Sequence, residues 1–194
     1  MIPLPPAPAL VAPQAEPALV EIARSGFDMK GTPFSRARLS LDVAGFRKAM
    51  AAPGRPGEDP MAKALRVLRE GQVRFHIWQG WEIAVSGSRR REFNLQVVGG
   101  VWPQGVPPAM QRDLGRYLAY VTRDADIGQH WEFRGGGGRP LRGRYNDEPW
   151  TDLGRGAMTA LIVGLYFEGG EAVPGTRVDF REGLRFLITP PAQR

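Results

Sequence analysis

Two histidines and no cysteine narrow the chemistry open to this chain of 194 residues. Without cysteine there is no thiol nucleophile, no cysteine zinc site and no disulfide scaffold. A histidine-based triad or metal site must therefore use His76 or His130. The run RDADIGQH places Asp124, Asp126 and His130 within seven residues, a donor set for a hard cation if the loop curls. The plainer reading makes the aspartates solvated loop residues after a helix, with Asp126-Ile127-Gly128 as a turn, and no metal is assigned. His76, between Phe75 and Ile77, falls on the polar side of an alternating stretch and reads as a surface histidine. The GGGGR stretch, Gly135 to Arg139, lacks the Gly-Lys-Ser/Thr ending of a nucleotide phosphate loop, so it offers an anion only backbone amides and a guanidinium. No G-x-S-x-G elbow, H-E-x-x-H helix or EF-hand loop occurs. The sequence assigns no catalytic residue and no cofactor, and it reads as a non-enzyme.

Arginine is the residue with more to offer. Of the basic residues only Lys30, Lys48 and Lys63 are lysines, against 23 arginines, and the net charge is +6. One explanation is a GC-rich coding sequence, which favours Arg, Ala, Gly and Pro together. The other is an acidic partner, because arginine recognises phosphate and carboxylate bidentately. Two clusters stand out as candidate anion or nucleic-acid contacts. Arg89, Arg90 and Arg91 occupy the expected tip of a hairpin, while Arg134, Arg139, Arg142 and Arg144 decorate the glycine loop beside Trp131, Tyr145 and Trp150. Arginine interleaved with aromatics suits both single-stranded nucleic acid and protein interfaces.

The elements that position these residues change period along the chain. Ala18 to Ala23 suggests a short helix and Phe27 to Arg38 a loop. Ser40 offers an N-cap for a helix with Leu41, Ala44, Phe46 and Met50 on one side, and after the PGRPGEDP breaker a second helix runs from Met61 to about Glu70, ending at Gly71. Alternation then predicts three strands, with Val73-Phe75-Ile77, Trp81-Ile83-Val85 and Phe93-Leu95-Val97 on the apolar side, joined by Gln79-Gly80 and Ser86 to Arg91. Pro107-Pro108 opens a longer helix carrying Met110, Leu114, Tyr117, Leu118 and Val121. Trp131 and Phe133 suggest a strand, Ala160 to Phe167 a buried strand or a core helix, and Arg177 to Phe180 with Leu184 to Ile188 two closing strands. The fold class expected is α+β: an antiparallel sheet, made of the 73 to 98 meander and the C-terminal strands, packed by two to four helices.

Six of the 18 prolines lie in the first 20 residues. An arm of this composition buries too little apolar surface to order alone, so residues 1–18 read as an extended arm and 19–194 as one domain, long enough to bury about 70% of its unfolded surface. Pro3, Leu4, Pro5, Pro6, Pro8, Leu10 and Val11 are its candidate partner contacts. The leader has no basic residue before its apolar stretch, which argues against a signal peptide, and no apolar run approaches the roughly 20 residues of a membrane span. The reading is of a soluble virion or cytoplasmic protein. Arm, long loops and missing catalytic motifs together point to a structural subunit of a large particle, most concretely a bacteriophage tail, neck or capsid-associated protein. Its partners would be other subunits, including copies of itself, with no small-molecule substrate evident. A nucleic-acid-binding protein using the arginine clusters is the alternative.

Overall fold

In the segment Thr32–Leu41, Ser35, Ala37, Leu39 and Leu41 are buried and alternate with exposed Arg36 and Arg38. This period of two makes a strand, β2, which pairs antiparallel with β1 (Val20–Met29). The sequence suggests a helix start and a loop here. Two inward positions are occupied by the small residues Ser35 and Ala37, so the apolar alternation is faint and cross-strand pairing decides the outcome. The computed structural model describes residues 18–29, 31–168 and 174–189. The arm residues Pro3, Leu4, Pro5, Pro6, Pro8, Leu10 and Val11 lie outside them.

Four further strands, β3 (Phe75–Trp81), β4 (His130–Gly136), β5 (Arg139–Tyr145) and β6 (Thr151–Gly154), complete a six-stranded sheet in the order β1-β2-β3-β4-β5-β6. Every neighbouring pair is antiparallel. The fold is α+β with an antiparallel sheet, as the sequence implies, but the sheet has different members. β3 runs straight through Gln79-Gly80 instead of turning there. The Trp78 indole lies over Gly80, so close that a Cβ at Gly80 would stand 2.3 Å from it. Beyond Trp81 the expected second strand is reduced to a single bridge between Val85 and Ala125. Phe93 to Val97 belongs to helix α3 (Gly87–Val101), and both C-terminal strands belong to helix α6 (Pro174–Ile188). In α6, Phe180, Gly183 and Leu184 are buried while Phe186 is 61% exposed, a helical spacing that the alternation Leu184-Phe186-Ile188 imitates.

Helices α1 (Val43–Ala51) and α2 (Pro60–Arg69) form where capping residues call for them. Asp42 accepts from the Gly45 amide at 2.8 Å and Asp59 from the Met61 amide at 2.9 Å. A 3-10 turn over Pro108–Met110 leads into α4 (Gln111–Val121). Of the two alternatives for Ala160 to Phe167, the helical one is observed: α5 (Ala157–Val163) runs on into a π turn over Gly164–Glu168. The helices cover one face of the sheet, and Leu39, Ile77, Phe133, Leu141 and Leu153 from the strands join Leu68, Tyr117, Leu161 and Phe180 in a single buried core. The glycine loop, Gly135 to Gly138, is the tight turn of the β4–β5 hairpin. Gly136 has φ 80° and a Cβ there would fall 1.8 Å from the Val73 carbonyl oxygen.

Among the described residues the other face of the sheet carries no helix. Register aligns its residues in rows: Ser40, His76, Arg134, Arg142 and Asp152 in one, Arg38, Trp78, Glu132 and Arg144 in the next. Among the described residues no helix is long and apolar enough to cross a membrane.

Candidate functional site

The buried side of α3 consists of Gly87, Arg90, Asn94, Val97 and Val98. A glycine, a cation and an amide are poor material for a hydrophobic stripe, and their burial is the first sign of a site. The helix begins at Ser86, whose hydroxyl accepts from the Arg89 amide at 3.4 Å, and Asp124 accepts from the Gly87 amide at 2.7 Å. Gly87 is required by this contact, because a Cβ there would lie 2.4 Å from the Thr122 carbonyl oxygen. The loop after α4 thereby seats the first turn of α3 against the sheet.

Arg90, held by that first turn, is only 6% exposed. Its guanidinium lies 3.7 Å from the centre of the Trp131 ring and 5.0 Å from that of Trp81, and it donates to the Arg123 carbonyl at 3.0 Å. Among the described residues it makes no ion pair. Burial pushes the Arg90 pKa down to about 10, so the group stays charged at neutral pH. A guanidinium has several N–H donors, and a single carbonyl and two indole faces are modest company for a desolvated cation.

The surroundings are themselves rich in donors. Tyr117 donates to Asn94 at 2.5 Å, Asn94 donates to the Arg90 carbonyl at 2.7 Å, and Tyr166 donates to Gln79 at 2.5 Å. The Tyr120 hydroxyl and the indole N–H groups of Trp81 and Trp131 are buried without a hydrogen-bond partner. Tyr120 touches Trp131 edge-on at 5.1 Å between ring centres. Burial raises the Tyr117, Tyr120 and Tyr166 phenols well above their usual range, so all three remain protonated donors. One buried cation beside three buried donors lacking acceptors is an arrangement complementary to an anion.

The sequence-predicted residues are therefore divided. Arg89 and Arg91 are exposed on α3 and Arg90 is buried beneath them, so the triplet is neither a hairpin tip nor a continuous basic patch. Arg134 and Arg142 face solvent on the helix-free side of the sheet, Arg139 opens β5, and Arg144 is hydrogen-bonded to Glu132 at 2.9 Å. Trp131 and Tyr145 point to the helix side and Trp150 contacts Arg134 and Arg144 on the other. Asp124 caps α3, whereas His130 stacks on Trp78 at 5.5 Å. Among the described residues no three His, Asp or Glu side chains converge as metal ligands. His76 is half-buried on the open face and bonded to Glu132 at 2.7 Å. Sequence reasoning missed the cage of Trp81, Asn94, Tyr117, Tyr120 and Tyr166, which come from four different elements. The sequence offered only the triple arginine as a signal, and it placed that triplet in a connection between strands.

No protein-family model matches the chain, and no curated protein matches it in sequence. The crystal structure of a fatty-acid binding protein of Arabidopsis thaliana is similar in fold, with a TM-score of 0.63 over 94% of each chain at 12% identity. This likeness overturns the expectation of a bacteriophage particle subunit built to hold other subunits. The shared architecture is that of a protein named for a small-molecule ligand. The nucleic-acid alternative goes with it, since the two arginine clusters lie on opposite sides of the sheet and Arg90 is inaccessible to a polymer.

Proposed function

We propose that this protein binds a small amphiphile with a carboxylate head and an apolar body, a fatty acid being the simplest such molecule. The observation that carries this reading is Arg90, a buried guanidinium without a carboxylate of its own and ringed by donors that lack acceptors. A ligand carboxylate would take one edge of the guanidinium in a bidentate pair, with the Tyr120 hydroxyl and the indole N–H groups as further donors. The apolar body would extend among Val97, Val98, Phe133 and Tyr166, which belong to the same core. In this dry setting the charge pair supplies selectivity for an acid over an alcohol or ester of equal length. The fold shared with a protein named as a fatty-acid binder supports the reading. We propose binding without chemistry, because the phenols around Arg90 are driven away from neutrality and make poor acid–base catalysts at pH 7.

The test is calorimetric titration with dodecanoate and dodecanol, alongside Arg90→Met and the exposed control Arg89→Met. Losing one partner of a desolvated charge pair costs about 2–5 kcal/mol, so Arg90→Met should weaken dodecanoate by roughly 30-fold or more. Dodecanol should bind poorly to every variant, and Arg89→Met should match the wild type. Equal binding of acid and alcohol, or dodecanoate affinity unchanged in a folded Arg90→Met, overturns the reading.

A further inference from the structure

The helix-free face holds a second cationic feature, independent of Arg90. A cleft of about 320 Å³ opens between the β4–β5 hairpin and the start of β6, lined by Arg74, Arg134, Arg139, Arg142, Trp150 and Asp152 among others. Register sets Arg134 directly opposite Arg142. Like charges facing each other across a strand pair repel, and sheets ordinarily avoid them. The natural remedy would be Asp152, which is Arg142's partner on the other side, yet its carboxylate accepts instead from the Gly154 amide at 2.9 Å. Among the described residues neither Arg134 nor Arg142 forms an ion pair.

What holds them is aromatic and backbone contact. The Arg134 guanidinium lies over the Trp150 ring at 4.4 Å, and Arg142 reaches the Trp150 carbonyl at 3.4 Å. Stacking fixes the plane of a guanidinium without occupying its N–H edge, so part of the ordering cost of binding is already met. Arg144, from the next row, reaches the same ring at 5.0 Å, and its charge is directed to Glu132 by hydrogen bonds. Both rows of this face hold two arginines and one acid, but they use the acid differently: Glu132 bonds Arg144 directly, whereas Asp152 is turned to a backbone amide, and Arg134 and Arg142 keep no ion pair among the described residues.

We infer that this cleft binds a phosphate group carried by a small molecule. Arg134, set by the Trp150 ring, and Arg142, facing it across the strand pair, place two guanidinium forks side by side, which match a compact dianion with several acceptor oxygens better than they match a single carboxylate. The volume admits a phosphate with a small attached group. Trp150 serves to set the arginines, and its ring is not offered for stacking to the ligand.

Isothermal titration with inorganic phosphate and with pyrophosphate, at low salt, tests this on the full chain. Pyrophosphate should bind more tightly than phosphate, and Arg134→Gln with Arg142→Gln should weaken it at least tenfold. Arg142→Gln alone should raise the melting temperature of the unliganded protein, because it relieves the repulsion; a merely structural arginine would lower it. A parallel arm adds phosphatidic acid vesicles against phosphatidylcholine vesicles. Binding to the acidic vesicles alone, lost in the double variant, keeps the phosphate chemistry and assigns its source to a lipid. No binding to any of these probes, or binding indifferent to both substitutions, overturns the inference. Arg90→Met should leave the phosphate titration unchanged, so failure here and failure of the carboxylate site are separable.

Discussion

One strand, β4, presents Trp131 to the helices and Glu132 to the helix-free face, and the two faces it divides solve opposite problems with the same residue type. On the helix side Arg90 stacks on Trp131 without an acid. On the open side Glu132 is 4% exposed and receives Arg144, His76 and His130, so here the acid is the buried partner and the cations come to it. The difference teaches where each face is complete. Glu132 has its counter-charges in the chain itself, whereas Arg90 has none among the described residues, which is the ground for the ligand proposed there. Dielectric separates them further: a pair formed at Arg90 is sheltered from salt, whereas contacts made by exposed arginines in the Trp150 cleft are screened.

The most disruptive way to break this contrast is Gly87→Ala. A methyl group pressed against the Thr122 carbonyl oxygen must lift the first turn of α3, costing about 1–3 kcal/mol in chemical denaturation. Because Arg90 rides on that turn, dodecanoate affinity should drop about tenfold or more, while pyrophosphate binding on the other face persists. Parallel loss of both would show that the faces are not independent.

Glu132→Gln comes next, with an expected loss of about 1–2 kcal/mol at pH 7 as Arg144 and His76 lose a charged acceptor. Its pH dependence is sharper. Burial drives His76 below its usual 6.5 even though Glu132 opposes the shift. Burial alone would raise Glu132, but hydrogen bonds from Arg144 and His76 outweigh it and hold the carboxyl below its usual 4.5. In both cases the folded protein binds fewer protons than the unfolded chain, so stability falls with pH: first below about 6.5 through His76, then below about 4.5 through Glu132. In Glu132→Gln the lower limb should flatten and the upper one remain, as read from melting temperatures between pH 7 and pH 3. An unchanged lower limb would contradict the role given to this carboxylate.

Salt makes the smallest and most discriminating change. Between 50 and 200 mM salt, pyrophosphate affinity should fall about tenfold while dodecanoate affinity moves less than about twofold. Equal sensitivity would place both anions on the exposed face.

Part of this was legible without coordinates. The second helix with its stop at Gly71, and the spacing of Leu114, Tyr117, Leu118 and Val121 that marks α4, were legible because apolar periodicity is a local property that a short window carries; the N-cap expected at Ser40 is instead Asp42, since Ser40 and Leu41 are taken up by β2. The α+β class and the strands at Phe75 and Trp131 followed from the change of period. The hairpin of β1 and β2 was hidden by Ser35 and Ala37, small buried residues that weaken the apolar alternation of β2. The triple arginine was visible as a cluster, but its middle member's burial was not.

The sequence alone determined the α+β composition, the helical spacing of α4, the surplus of arginine over lysine and the absence of thiol chemistry, since each depends on residue identity or on neighbours a few positions away. Only the tertiary structure decided that Phe93, Leu95 and Val97 lie on a helix, that Arg90 turns inward while Arg89 and Arg91 face water, and that Arg134 meets Arg142 without an acid. The reason is physical: a binding site buries polar groups and so erases the apolar pattern by which a buried face is recognised, and whether a charge has a partner depends on strands and helices that the chain brings together from afar.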